Sequence, residues 1–267
     1  AFAFADDAIL AVLACAALLC LLSMVDDFRS LPIQVRLPAH GAAGLIAVLV
    51  IGAPQGSYSG LGVVEAMVVI VALVWMTNLY NFMDGSDGLA GGMAVIGFGT
   101  LAFAAWQARE LPLALTACVI ASASAGFLAH NLPPARVFLG DAGSIPLGFL
   151  AGALGLYGAF RGAWPLWFPV LVFSPFIADA TVTLARRIAR GEPFWKAHRD
   201  HYYQRLVLAG WPRARLAWAS YAVMAAAAAS ALAGRRTAPE VGFGIILAWT
   251  VAYALLFIAI GRRIRAA

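Results

Sequence analysis

Nine nearly uninterrupted apolar runs limit what this chain can fold into: 8–25, 37–53, 62–80, 88–108, 111–130, 144–160, 162–185, 214–233 and 240–261. A hydrocarbon layer of roughly 30 Å is crossed by about 20 apolar helical residues, and most of the runs approach that length. They are continuously apolar rather than alternating, which argues against membrane strands. In lipid, a helix satisfies its own backbone groups within one segment. The expected fold is therefore all-α, a polytopic transmembrane helical bundle of about nine spans, with residues 1–267 forming a single integral-membrane domain. Composition excludes an ordinary soluble core: 63% of residues are hydrophobic and 12% charged, where soluble domains run near half and a quarter.

Nine spans sort the connections into two sets. One side receives those near 26–36, 81–88, 131–143 and 186–213 and the C-terminal tail, and with them 14 of the 18 Lys and Arg residues. The other receives those near 54–61, 109–110, 161 and 234–239. The positive-inside bias marks the first side as cytoplasmic. The same parity puts Asp26, Asp27, Asp84, Asp87 and Asp141 there, although none of them entered the count. The net charge of +5 comes largely from these loops; topology and anionic headgroups account for it, so no nucleic-acid partner is inferred. Cys15, Cys20 and Cys118 sit in apolar runs without CxxC spacing and read as packing residues. The sequence starts in a hydrophobic stretch at Ala1 rather than at a methionine, and without a basic n-region, so 8–25 reads as a span rather than a signal peptide.

The acids fall in three clusters at the ends of apolar runs: Asp26-Asp27, the segment NLYNFMDGSDGL carrying Asp84 and Asp87, and FLGDAGS carrying Asp141. Carboxylate oxygens are hard ligands suited to Mg²⁺ or Mn²⁺, and Mg²⁺ takes one or two carboxylates together with substrate phosphates and water. Gly85, Gly88, Gly140 and Gly143 beside the acids are expected to let backbone approach a ligand, with Asn78 and Asn81 as hydrogen-bonding groups at the same mouth. DGxDG alone reads equally well as a polar helix-ending turn; three such loops on one face weigh against that. The longest basic connection contains FWKAHRDHYYQRL, and a helix there would put His198, His201 and Arg205 on one face to grip a diphosphate. Its alternative is an interfacial helix with Trp195, Tyr202 and Tyr203 at headgroup depth. His40 reads as a packing residue, Asp179 as an interhelical hydrogen-bonding group, and Gly148 and Gly152 as close helix packing.

Asp-Asp after a span, then NxxNxxDGxDGL, then FxGDxGS, then a basic loop with histidines, in that order from about Val25 to Arg205, resembles the polyprenyl-phosphate N-acetylhexosamine-1-phosphate transferases. The resemblance implies transfer of a sugar 1-phosphate from a UDP-sugar to undecaprenyl phosphate at a bacterial inner membrane, with release of UMP and Mg²⁺ as cofactor. It makes residues 1–267 a transferase domain that lacks the family's N-terminal spans. Asp26, with Asp27 beside it, becomes the candidate base or phosphate-site residue. Asn78, Asn81, Asp84 and Asp87 line the nucleotide-sugar site, Asp141 is the candidate Mg²⁺ ligand, Phe138 stacks on uracil, and His198 and His201 contact phosphate or sugar. The family's lysine after Asp-Asp is absent, with Arg29 nearby. HRDHYYQRL replaces a run of adjacent histidines and resembles the O-antigen-initiating branch, which implies a UDP-N-acetylhexosamine or its 6-deoxy form rather than UDP-MurNAc-pentapeptide. Expected partners are these two substrates and membrane lipids, with a homodimer as one option. A secondary transporter would carry its carboxylates near the bilayer midplane on broken helices. A CDP-alcohol phosphatidyltransferase would need Arg after its DG motif, where Leu89-Ala90-Gly91-Gly92 stands.

Overall fold

The computed structural model describes residues 6–52, 62–193 and 198–266. The connection expected at 54–61, and Trp195 and Lys196 of the histidine segment, lie outside them. Among the described residues there are eleven helices and no strand: α1 (Asp7–Arg29), α2 (Ile33–Ile51), α3 (Val63–Phe82), α4 (Leu89–Gln107), α5 (Leu111–Asn131), α6 (Gly140–Phe160), α7 (Trp167–Val172), α8 (Ser174–Ala189), α9 (Tyr202–Leu208), α10 (Arg213–Gly234) and α11 (Pro239–Ala266). Local chemistry sets their ends. Asp6 caps α1 by accepting the Ile9 N–H at 2.9 Å, which satisfies one of the orphan donors of a helix start. Glu65, a polar residue inside an apolar run, reaches back to the Gly62 N–H at 2.9 Å and closes the first turn of α3.

Eight of the helices, α1 to α6, α10 and α11, are individually long and apolar enough to cross a membrane. The ninth run, expected as one span at 162–185, is instead the broken pair α7 and α8. Pro175 in the first turn of α8 explains the break: its ring clashes with the carbonyl four residues back, and it disfavours helical geometry at the residue before it. The Ser174 and Tyr253 hydroxyls share a hydrogen bond of 2.7 Å beside the break. The pair still runs the length of the bundle. Trp167 packs at Gly234 and Gly242, near the end where Arg236 donates to the Gln107 carbonyl at 2.8 Å and Arg161 lies 3.6 Å from Glu110. Asp179 and Arg186 lie toward the other end, with the aspartates.

The centre of the bundle is α6, held between α1 and α3, and α4, held between α5 and α10. Without a hydrophobic force between helices in lipid, close approach through small residues is what holds them. A β-carbon at Gly148 would stand 2.6 Å from the Met76 carbonyl oxygen and 2.7 Å from the Tyr80 β-carbon. Gly148→Ala must therefore push α6 off α3, and is expected to cost about 1–3 kcal/mol. Gly99 has nothing within 4 Å of such a β-carbon, so Gly99→Ala should leave the thermal midpoint in detergent unchanged or slightly raised. Equal midpoints for the two variants would contradict the close packing.

Candidate functional site

The loop between α1 and α2 is tied by Asp26. Its Oδ1 accepts the Leu31 N–H at 2.5 Å and its Oδ2 accepts Arg36 at 2.7 Å, and Asp26 is buried. Both carboxylate oxygens are thus engaged in holding the turn and Arg36. Asp27 beside it is exposed, and its Oδ2 lies 3.5 Å from where a β-carbon of Gly140 would be. Of the pair, Asp27 is the acid that faces the start of α6.

That start meets the end of α3. Ser144 donates to Asn81 Oδ1 at 2.8 Å, and the Asn81 amide faces the Asp141 carboxyl. Arg36 reaches Asp141 as well, at 3.6 Å. Asp84 lies against the Gly140 N–H and close to Asp141. Burial, then the neighbouring Asp141 charge, push its carboxyl up to about 7, against which the Gly140 N–H acts only in part. Asn78, one turn before Asn81, has its amide committed to the Val74 carbonyl at 2.7 Å and His40 Nδ1 at 3.2 Å. His40 is the packing residue it was expected to be, here fixing α2 on α3.

Asp87 does something different from Asp84. Buried, it accepts the Ala135 N–H at 3.1 Å and Arg213 at 3.4 Å, and so ties the DGxDG loop to the loop before α6 and to α10. Next to it, Gly88 at φ +76° donates to Asn131 Oδ1 at 2.9 Å and accepts the Tyr221 hydroxyl at 2.7 Å. Asn131 in turn donates to the Val137 carbonyl at 2.8 Å. The room left by Gly85 and Gly88, expected for a ligand, is taken by the Tyr203 and Tyr221 hydroxyls. Phe138 follows this braced loop with its ring 73% exposed, free to stack on a planar ligand.

The histidine segment does not form the expected helical face. Helix α9 starts only at Tyr202, because Asp179 of α8 accepts the Tyr202 and Tyr203 N–H groups at 2.9 and 3.0 Å and so fixes the helix start there. The expected interhelical hydrogen bond of Asp179 is this cap. His201, before that start, is buried between Phe82 and Tyr203, with Nδ1 3.4 Å from Asp179. His198 stands beside it, ring centroids 4.9 Å apart. Burial, followed by the His201 and Arg187 charges, lowers the His198 pKa, so near neutral pH it offers an uncharged imidazole rather than a cation. Arg205 parts from both histidines; it lies over the Tyr202 ring, 5.4 Å from its centroid, on the α11 side of α9.

The fold therefore gathers Asp27, Asn81, Asp84 and Asp141 at one mouth, with Asp26 fixed behind it. Tyr203 connects His201 to that mouth by donating to the Phe82 carbonyl at 2.9 Å. Asp87 and Asn78 brace it, and Arg205 lies apart. Sequence reasoning missed Arg36, Asn131 and Arg187, and offered Tyr203 only as a headgroup-depth residue, where the fold buries it against Phe82. Asn131 carried a usable signal, as an amide at the end of an apolar run; Arg36 and Arg187 were indistinguishable from their neighbours. Among the described residues no three His, Cys, Asp or Glu side chains enclose an ion by themselves. An ion at this mouth would be completed by substrate oxygens and water.

Residues 9–159 match the profile of glycosyl transferase family 4. A protein of Bacillus subtilis, named as a probable undecaprenyl-phosphate N-acetylglucosaminyl 1-phosphate transferase, is 32% identical over 56% of this chain and 42% of its own length. Phospho-N-acetylmuramoyl-pentapeptide-transferases of Enterococcus faecalis and Bacillus licheniformis are 30% and 42% identical over 57% and 46% of this chain, and 46% and 34% of theirs. The match thus spans less than half the length of each relative.

The raised pKa of Asp84 has a sign that can be measured. Its carboxyl ionises near 4 in an unfolded chain and at about 7 in the fold. The folded state therefore favours the proton, and stability falls as pH rises from about 4 through 7. In EDTA-treated protein, Asp84→Asn should raise the thermal midpoint at pH 8, by at most about 4 kcal/mol of stability, and the gain should vanish near pH 4. No gain at pH 8 would contradict the crowding of Asp84 and Asp141.

Proposed function

The chain belongs to glycosyl transferase family 4, and from that premise we propose that it transfers an N-acetylhexosamine 1-phosphate, or the 6-deoxy form, from a UDP-sugar to undecaprenyl phosphate. UMP leaves, and the lipid-linked product initiates a cell-surface polysaccharide such as lipopolysaccharide. The observation that carries this reading is the meeting of Asp84 and Asp141 beside Asp27 at one end of a membrane bundle. A lipid phosphate sits at headgroup depth and a nucleotide sugar arrives from water, so a mouth at a bundle end can receive both. The Arg and Lys bias supports a cytoplasmic placing of that end in a bacterial inner membrane.

Two crowded carboxylates with only the partial counter-charge of Arg36 fit a hard divalent cation, Mg²⁺ or Mn²⁺, held by Asp84 and Asp141 with Asp27 within reach. When bound, such an ion neutralises the diphosphate and stabilises departing UMP. Asn81 orients the Asp141 carboxyl, and Phe138 offers its ring to uracil. The neutral His198, whose Nδ1 accepts the Asp200 N–H at 3.3 Å, has its Nε2–H left to donate to a phosphate or sugar oxygen. A lipid-phosphate oxygen attacks the sugar-bearing phosphorus, and the bond from that phosphorus to the UMP oxygen breaks. The lipid phosphate is already largely ionised near pH 7, so Asp26, held by Arg36, is left to position rather than to take a proton.

The full chain, reconstituted with undecaprenyl phosphate and a panel of radiolabelled UDP-sugars, tests the reading. A UDP-N-acetylhexosamine should give a lipid-linked diphosphate sugar, and UDP-MurNAc-pentapeptide should not. A comparable rate with the latter would transfer the chain to the muramoyl-pentapeptide branch. Asp141→Asn should lower transfer at least about a hundredfold, roughly 2.7 kcal/mol of barrier, and His198→Ala about tenfold. Near wild-type turnover of Asp141→Asn at limiting Mg²⁺ would remove Asp141 from the site.

A further inference from the structure

On the face of α9 turned away from the aspartates lies a second concavity. Between α8, α9 and α11 the bundle forms an open-sided cavity of about 640 Å³. Its walls are apolar, with Val182 from α8 and Tyr253, Ala254, Phe257 and Ile258 from α11. Arg186, Arg205 and Arg262 also line it. A smaller polar cavity of about 110 Å³ shares Arg186 and Arg205 and adds Thr183, Arg190 and the paired Arg187 and Asp200. Among the described residues, Arg36, Arg161, Arg187, Arg190 and Arg213 all have a carboxylate within 4 Å. Among the described residues Arg186, Arg205 and Arg262 are in no such pair. Among the described residues Arg186 donates to the Tyr202 hydroxyl at 2.5 Å and lies over the Tyr202 ring.

We propose that this cavity binds an anionic phospholipid, its phosphate on Arg186, Arg205 and Arg262 and an acyl chain along Val182, Ala254 and Phe257. From Thr250 to Arg262 the lining runs about 18 Å along α11, long enough for much of one chain. Cations clustered at the headgroup end of an apolar groove select for negative lipid. The occupant is a membrane phospholipid rather than the reacting acceptor because Tyr202 walls the cavity off. Its buried ring stacks on Phe257 at 4.1 Å, and its neighbours His201 and Tyr203 turn to the aspartate side. A phosphate on Arg262 has the body of α9 between itself and Asp84.

Delipidated full chain in detergent, offered phosphatidylglycerol or phosphatidylcholine and examined by native mass spectrometry, tests this without any turnover, and so stands apart from the proposed reaction. Wild type should retain phosphatidylglycerol and not phosphatidylcholine. Ala254→Trp, which fills the cavity, should lose most of the retained lipid while keeping its transfer activity. The exposed Arg262→Gln should retain about fivefold less, the worth of roughly one lipid-facing cation, and keeps the test open if Ala254→Trp fails to fold. Equal retention of both lipids overturns the proposal, as does displacement of the lipid by inorganic phosphate alone. Retention of undecaprenyl phosphate in its place, with transfer lost in Ala254→Trp, would make the cavity the acceptor's and overturn it too.

Discussion

The approach of α6 to α3 at Gly148 is the contact on which the acidic end of the bundle depends. Met76, Thr77 and Tyr80 of α3 occupy the space that a side chain at 148 would need. The two helices run in opposite directions, so the end of one lies beside the start of the other. Asn81 and Asp84 then meet Gly140, Asp141 and Ser144 without any long side chain having to reach. Tyr80 extends the same contact to α4 by donating to the Ala90 carbonyl at 2.8 Å. A separation of one more methyl group would move the acids of the two loops apart, and with them the mouth they form.

Charge decides what each acid can do once they are gathered. Arg36 and Arg213 satisfy Asp26 and Asp87, and backbone N–H groups take the remaining oxygens. Those two acids are thereby spent on holding loops. Asp84 and Asp141 share a partly buried site with too little positive charge for both, which is why a carboxyl of ordinary chemistry ionises at about 7 there. Such a site is unstable toward protons and favourable toward a divalent cation. Structural and chemical acids in these motifs differ in their partners, not in their type.

Asp179 plays the corresponding part for the basic segment. An acid within an apolar run is expensive unless its oxygens are met, and here Thr183 and the Tyr202 and Tyr203 N–H groups at the start of α9 meet them. Fixing that start turns His201 and Tyr203 toward the aspartates and Tyr202 and Arg205 toward α11. A short helix thus presents one face to the mouth and the other to an arginine-lined cavity. The break at Pro175 is compatible with this, since it makes α8, which carries Asp179, a helix separate from α7.

What the sequence by itself determined is the helical bundle, its alternating direction and the end at which the acids collect. Apolar length and backbone satisfaction in lipid are local properties, and counting spans carries them across the whole chain. The broken pair at 167–189 was also written locally, in Pro175, yet 162–185 read as one span because hydropathy is blind to a missing N–H. Only the tertiary structure decided which aspartates are free. Asp87 finds its donor at Ala135 and Asp26 its guanidinium at Arg36, while Asp84 finds the Asp141 charge, and Asp141 finds Asp27 with only the Asn81 amide and a more distant Arg36 against it. It likewise decided that Arg205 leaves the histidines, since Asp179 sets where α9 begins from 23 residues away. A carboxylate's role follows from the donors and charges within a few ångströms, and those come from helices far apart in the chain.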